Sequence, residues 1–431
     1  MHPCADCSAY VQKKMSAPVA EPSRKTALSR LSRFVPRAGA RYAKSRNFDF
    51  GPDRRANVSM LSPYLRHRLL LEEEVLQTTL QRHSLAAASK FVQEVFWRTY
   101  YKGWLEQRPA VWADYRHSLV RILSELEDRA DVRQRYESAV AGNTGIDCFD
   151  AWVHELLSTG YLHNHARMWS ASIWVFTLEL PWQLGADFFY RHLLDGDPAS
   201  NTLSWRWVSG LHTPGKTYLA TAANIAKFTD NRFHPEGLAA HAPAPKMPKV
   251  YPLEPLPASQ WLQASERFGL FVTEEDCFPE SILGAHAPAV VIGATATRLR
   301  SPLPVGGLAE EFAGGAVGDA VKRTSRKFAI NGELTDSIYW GDTLLEWAKQ
   351  HHLKTIATAH APVGPVAELL IEVDNYLARH GIRLLRLRRR YDGLVWPHAR
   401  RGFFKLKDQI PALLERIGDG TAAGEITKKA G

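Results

Sequence analysis

The sequence predicts a large all-helical unit followed by a smaller α/β unit with a mostly parallel sheet. Three observations carry this. From about Leu61 to Lys227, apolar residues recur at three- and four-residue spacing with no convincing strand alternation between them. Residues 231–260 hold seven prolines, the mark of a linker or an extended surface crossing. Beyond them, short apolar runs alternate with helical patterns, the texture of βα units.

The helical elements read in order as "SPYLRHRLLLEEEVLQTTL", "ASKFVQEVFWRTYYKGWL" and "FDAWVHELLSTG", with Gly160 and Pro181 as helix stops. In the second half, "PAVVIGATA" is a buried strand, "DTLLEWAKQHH" a helix and "LKTIATA" a strand. "VAELLIEVDNYLARHG" is then a helix ended by Gly381, and "IRLLRLRR" a strand. Strands between 295 and 340 are weakly bounded. The expected divisions are a basic flexible arm over 1–40, the helical unit over 41–230, a linker over 231–260, the α/β unit over 261–420 and a tail over 421–431.

At 431 residues the chain is long enough for a large buried core, and no apolar run approaches a membrane span. Four scattered cysteines suit a reducing compartment, and the lone pair Cys4 and Cys7 is too little for a metal site. The expectation is no metal, no membrane partner and a monomer in the cytoplasm. An N-terminal arm rich in Arg, Ser and Ala leaves organelle targeting open. A net charge of +9 favours a polyanionic partner. Basic residues gather in the N-terminal region and in "RLLRLRRR", which reads equally as a solvated sheet edge.

The chemistry concentrates in three stretches. "LLDGDPASN" (193–201) places Asp195 and Asp197 two apart, then Pro198, then Asn201. Asp197 before Pro198 is an ordinary helix start, with Gly196 as turn chemistry. In "FVQEVFWRTYY", Glu94, Trp97, Arg98 and Tyr101 share a helix face, with a Glu94–Arg98 ion pair as the plain alternative. In "LHNHARMWSAS", Asn164, Arg167 and Met168 share another, and Asp195 is the natural partner for Arg167. Tryptophan is abundant, 13 in all; Trp205 and Trp207 follow Asn201 closely. Buried tryptophans are normally core.

These stretches, in the order "RYAKSRNF", "VSMLSPYL", "QEVFWRTYY", "TGIDCFDAWVHELLSTGYLHNHARMWSAS" and "PWQLGADFFYRHLLDGDPASNTLSWRWVSG", resemble the FAD-binding helical domain of the DNA photolyase/cryptochrome family over about residues 41–230. The resemblance implies FAD as cofactor and UV-damaged DNA as partner. It implies that Tyr42, Ser59 and Ser62 bind the phosphate and ribityl portion. Arg167 and Asp195 would pair beside the flavin ring, Asp197 would accept a hydrogen bond from its imide edge, and Asn201 would face its N5. Trp205, then Trp182, then Trp112 would form a chain of electron carriers. Members that split cyclobutane pyrimidine dimers carry the residue types found here at Glu94, Trp97, Asn164, Met168 and Trp207. The (6-4) photolyases place histidines at the Asn164 and Met168 positions, and cryptochromes commonly replace Asn201. Arg46, Arg98, Asn224 and Lys227 would contact DNA, with the protein nucleoid-associated when bound.

The implied activity is deoxyribodipyrimidine photolyase: light-driven electron transfer from reduced FAD splits a flipped-out dimer. The competing readings are a cryptochrome-like blue-light receptor without repair and a DNA-binding protein that has lost its flavin. Departures from the family pattern include Val58, Asp147, His165 and the degenerate "TAANIAKF". The α/β unit also follows the helical unit, whereas in the family an α/β antenna domain precedes it. The implied architecture is a photolyase-type FAD-binding domain followed by a Rossmann-like, antenna-like domain in reversed order.

Overall fold

The computed structural model describes residues 21–213, 215–245 and 249–422. Cys4, Cys7, Pro248, the first half of the expected arm and residues 423–431 lie outside it. The remaining cysteines, Cys148 and Cys277, are buried and free. No helix among the described residues is long and apolar enough to cross a membrane.

The helical half comprises α1 (Arg24–Phe34), α2 (Ala40–Ser45), α3 (Ser62–Arg66), α4 (Glu72–Leu80), α5 (Leu85–Glu106), α6 (Ala110–Glu125), α7 (Ala130–Ala141), α8 (Asp147–Thr159), α9 (Asn164–Ser172), α10 (Trp182–His192), α11 (Pro198–Val208) and α12 (Ala222–Phe228). A π-helical turn, Ile173–Thr177, extends α9. Local chemistry sets the ends. The side chains of Ser23, Ser84 and Thr221 cap α1, α5 and α12, while Gly142 and Gly160 close α7 and α8 at φ of 64° and 63°.

The expected flexible arm over 1–40 is corrected from residue 21 onward. There α1 buries Ala27, Leu31 and Phe34. Arg24 pairs with Glu74, and its backbone N–H donates to Asp319. A basic composition hid a helix whose apolar stripe is only three residues deep.

The second half contains β1 (Gly269–Val272), β2 (Val291–Gly293), β3 (Gly332–Leu334), β4 (Thr355–Ala359) and β5 (Arg383–Leu387), all parallel and ordered β3-β2-β1-β4-β5. Its helices are α13 (Gly307–Phe328), α14 (Trp340–Gln350), α15 (Pro365–Ala378), α16 (Arg390–Val395), α17 (Phe403–Lys407) and α18 (Ile410–Ala422). The expected strands at 290–293, 355–359 and 383–387 and the helices around 342–350 and 366–378 are present. Sequence reading missed β1, β3 and the 22-residue α13. The last of these carries four glycines, which dilute its helical signal. Helix α18 continues to residue 422, past the expected start of the tail.

The halves are not joined by a free linker. One core runs from Leu31 and Phe96 of the helical half through Leu270, Phe312 and Leu385 to Tyr391 and Leu413. Gly103 on α5 lies so close to Trp396 that a β-carbon there would stand 2.9 Å from the Trp396 Cα. Buried charge pairs tie the seam. Arg66 holds Glu275 at 2.6 Å, and Arg68 holds Asp392 at 2.7 Å and Asp276 at 3.5 Å, while Arg389 holds Asp276 at 2.6 Å from within the α/β half. Within the proline-rich crossing, the Glu254 N–H donates to the Gln107 carbonyl and the Pro257 carbonyl accepts from Arg388. β5 is an edge strand of the sheet, as its basic run suggested, and several of its arginines are paired with carboxylates of the same chain. Arg383 pairs with Glu266, Arg386 with Asp374 and Arg389 with Asp276.

Candidate active site

A cavity of about 630 Å³ opens between α5, α9 and α11, floored by the loop before α11. Each helix contributes one stripe. From α5 come Glu94, Trp97, Arg98 and Tyr101; from α9 come Asn164, Arg167, Met168 and Ala171; from α11 come Asn201, Ser204, Trp205 and Val208. These spacings of three and four residues place the side chains on a common face. Tyr42, Arg46, Ser59 and Ser62 complete the opposite wall, with Val58 beside them.

The 193–197 loop carries the charge. Asp195 accepts from Arg167 at 3.0 Å, as expected from sequence. Asp197 does two things at once. Its Oδ1 caps α11 by accepting from the Ser200 N–H at 2.7 Å, while its Oδ2 faces Lys102 and Arg98, each at 3.6 Å. Burial alone would raise the Asp197 carboxyl, but Lys102, Arg98 and Arg66 outweigh it and bring it down to about 2. Asp195 is likewise held low: burial pushes it up, and Arg167, Arg98 and the Ser62 hydroxyl pull harder. Both are therefore ionised acceptors at neutral pH.

The loop is clamped from beneath. Arg66, wholly buried, donates its Nε hydrogen to the Gly196 carbonyl at 2.7 Å and grips Glu275 with both Nη atoms. Gly196 is required for close approach. A β-carbon there would lie 2.8 Å from the Tyr190 carbonyl oxygen and 3.1 Å from that of Leu193.

Several expectations need correction. The Glu94–Arg98 pair does not form. Glu94 pairs with Arg46, and Arg98 turns to Asp195 (3.8 Å) and Asp197 (3.6 Å). Both arginines expected at a DNA surface thus line the cavity and are committed to carboxylates. Asn224 lies away from the cavity lining and accepts from the Trp169 indole at 3.0 Å, a packing role. Lys227 also lies off the cavity lining but is exposed beside Phe228, so its expected contact with DNA is not contradicted. Among the described residues no ring contact joins Trp205 to Trp182. Trp205 instead touches Phe189 (5.1 Å) and Trp174 (6.1 Å). Trp182 stacks on Tyr115 at 5.6 Å, and Tyr115 in turn meets Trp112 at 5.3 Å, a run that links two of the three expected electron carriers; electron transfer between Trp205 and Trp182 does not need ring contact. Trp112 is buried and donates to Glu368 of α15.

Sequence reading also missed residues that the cavity uses. Lys102 stands four after Arg98 on α5, so its spacing could have revealed it. Arg66 gave no signal, because its partners come from distant segments. Phe403 and Phe404 were invisible for the same reason: α17 lays Phe403 on Trp97, rings 3.6 Å apart and 12° from parallel, and Phe404 lines the cavity.

Burial raises the Glu94 carboxyl above the ordinary carboxylate value, against the pull of Arg46. His163 and His165, on the same wall, are pushed down to about 4 by burial and stay neutral.

Comparison with known proteins finds relatives over the helical half. The sequence profile of a family described as the FAD binding domain of DNA photolyase matches residues 91–244. The chain is similar to a deoxyribodipyrimidine photo-lyase of Thermus thermophilus, 33% identical over 245 residues, covering 56% of this chain and 54% of that protein. It is also similar to that of Streptomyces griseus, 32% identical over 199 residues, covering 43% and 42%. Among solved structures, a class III photolyase from Agrobacterium tumefaciens is similar at 27% identity and a TM-score of 0.41, covering 48% of this chain and 43% of that one. The chain thus spans about half the length of the curated relatives it matches. The matched residues 91–244, similar to the FAD binding domain of DNA photolyase, supply most of α5, all of α9 and α11 and the two aspartates of the cavity.

Proposed function

We propose that this chain binds FAD in the α5–α9–α11 cavity and is a deoxyribodipyrimidine photolyase, splitting cyclobutane pyrimidine dimers in UV-damaged DNA under light. One observation carries the reading. A single cavity gathers the five residues of the dimer-site pattern, Glu94, Trp97, Asn164, Met168 and Trp207, with the Arg167–Asp195 pair, Asp197 and Asn201.

The residues fit the cofactor. Arg98 Nη1, Asp197 Oδ2 and Ser200 Oγ belong to residues that line the cavity and are buried without a hydrogen-bond partner, the first two sharing only a 3.6 Å ion pair. A flat heterocycle with donors and acceptors along its edge offers the missing partners. Asp197, ionised throughout the neutral range, suits an imide N–H, since a carboxylate can only accept. Asn201 is fixed by donating its amide to the Ala186 carbonyl at 2.7 Å, which leaves its side-chain oxygen as an acceptor toward the cavity. Tyr42, Ser59 and Ser62 stand where ribityl and phosphate groups would lie.

FAD, when bound and reduced, supplies the light-driven electron. The chain positions the lesion and steadies the charge that develops on it. Trp97 and Trp207 are half-buried aromatic walls for a flipped-out dimer. Each is backed by a second ring, Trp97 by Phe403 and Trp207 by Tyr218 at 5.7 Å. Glu94 donates to a thymine carbonyl only while it carries its proton, and burial raises its hold on that proton. The α/β half is read as a Rossmann-like, antenna-type unit placed after the helical one; its parallel order β3-β2-β1-β4-β5 supports this.

The cofactor half of the reading is tested with Asp197→Ser. Serine keeps the helix cap and removes the carboxylate. The variant is expected to be less stable, because Lys102 loses its buried partner, but to stay folded by circular dichroism without flavin and to lose FAD on gel filtration while the wild type stays yellow. FAD retained by the variant at wild-type affinity would overturn the assignment.

A further inference from the structure

The segment 400–407, "RRGFFKLK", comes from the far end of the chain, past the sheet, yet it reaches the cavity. Phe403 is buried against Trp97, and it meets Tyr100 edge-on at 5.6 Å. That contact fixes its neighbour. Phe404 is 72% exposed although it lines the cavity. Other large exposed apolar side chains, such as Trp261 and Tyr339, do not lie on this rim.

The surroundings of Phe404 are cationic. Between Asp392 and Asp408 the chain has no acidic residue, and Arg400, Arg401, Lys405 and Lys407 fall within eight positions. Arg400, Arg401 and Lys405 are exposed, and among the described residues none of the four makes a salt bridge. The Lys407 ammonium stands 5.9 Å from the centre of the Phe404 ring. The Arg400 backbone is pinned by Arg108, which donates to its carbonyl at 2.7 Å.

An exposed aromatic face among unpaired cations, at the mouth of a cavity, matches a single-stranded polyanion whose bases have flat faces. An apolar peptide would leave the cations unmatched, and an acidic one would offer Phe404 no flat face to stack on. We infer that segment 400–407 is a strand-binding rim: Phe404 stacks on a nucleobase beside the cavity mouth, and Arg400, Arg401 and Lys405 hold adjacent phosphates. The identity of the polymer rests on the dimer-repair reading, but stacking on a flanking base does not require the lesion. The anchor for the rim is internal, through Phe403 on Trp97, so the C-terminal segment and the expected lesion wall are one packed unit.

The test is fluorescence anisotropy in darkness, with the full-length flavin-loaded protein and labelled oligothymidine, intact or UV-irradiated. Stacking on an aromatic ring is worth ~1–3 kcal/mol per base, so Phe404→Ala is expected to weaken binding of both strands about 5-fold or more. Phe404→Tyr is expected to restore it. Arg400→Ala with Arg401→Ala is expected to weaken both strands and to lower the slope of log affinity against log salt by about 1.4. Glu94→Gln, by contrast, is expected to weaken only the irradiated strand. Phe404 is exposed, so its replacement leaves the fold in place, checked by an unchanged circular dichroism spectrum and flavin content. Wild-type affinity of Phe404→Ala for both strands would overturn the inference. A wild-type protein that does not prefer the irradiated strand, while Phe404→Ala still binds both more weakly, would sink the lesion reading and leave the rim standing. A wild-type protein that binds neither strand would overturn both.

Discussion

Arg66→Met should be among the most costly single changes in the seam, and its cost can be worked from the contacts. The Arg66 side chain is 1% exposed and that of Glu275 is 4%. Three donated hydrogen bonds, of 2.7, 2.7 and 2.6 Å, end on the Gly196 carbonyl and on the two Glu275 oxygens. Methionine fills much of the volume but strands a buried carboxylate and a buried carbonyl. Breaking a buried pair from one side costs about 3–5 kcal/mol, a large share of the ~5–15 kcal/mol that holds a protein folded. Adding Glu275→Leu removes the stranded charge, so the double variant should recover most of that loss. It should not recover flavin affinity, because the Gly196 carbonyl still lacks its donor and the 193–197 loop is unclamped. Guanidinium midpoints followed by circular dichroism, together with FAD dissociation constants, separate the two effects. The reasoning fails if Arg66→Met costs less than about 1 kcal/mol, or if the double variant is no more stable than the single.

Gly196→Ala should cost about 1–3 kcal/mol through overpacking against the Tyr190 carbonyl, and it should loosen flavin; a melt at wild-type temperature would refute the close-approach argument. Acid should unfold the protein in two stages. Burial holds His163, His165, His192 and His212 down to about 4, and holds His67 well below the ordinary imidazole value, so an unfolded chain takes up protons that the folded one refuses. Stability from these groups is lost as pH falls from about 6.5 through 4, and the depressed Asp197 adds a further loss between about 4 and 2. Denaturant midpoints across that range, flat down to pH 4, would contradict the burial of the imidazoles. Asn224→Ala should cost about 1–3 kcal/mol by freeing the Trp169 indole, yet leave oligonucleotide affinity unchanged in a binding titration.

What could be read from sequence was what periodicity encodes. The stripes Glu94–Trp97–Arg98, Asn164–Arg167–Met168 and Asn201–Trp205 needed only helical spacing, and each reaches the cavity. The pair Arg167–Asp195 followed from charge and order. Contacts between distant segments were not legible. Arg46 displaced Arg98 as the partner of Glu94, and Arg66, Phe403 and Phe404 entered from opposite ends of the chain. A basic composition misled in the N-terminal region, where residues 24–34 are a packed helix; the run at β5 is the edge strand it suggested, with Arg383 and Arg386 paired to carboxylates of the same chain. Helix α13 was hidden by its glycines, and β1 by its brevity, four buried residues with no alternation to mark them.

The central claim is that one cavity holds both the flavin and a pyrimidine dimer. Its most direct test is photorepair: photoreduced, flavin-loaded protein mixed with UV-irradiated oligothymidine, with thymine absorbance followed under blue light and in darkness. Recovery only in the light, abolished or strongly slowed in Asn201→Ala and Glu94→Ala, is the predicted result. A yellow, photoreducible protein that restores no absorbance would contradict the repair claim and leave the cavity as the flavin site of a light receptor.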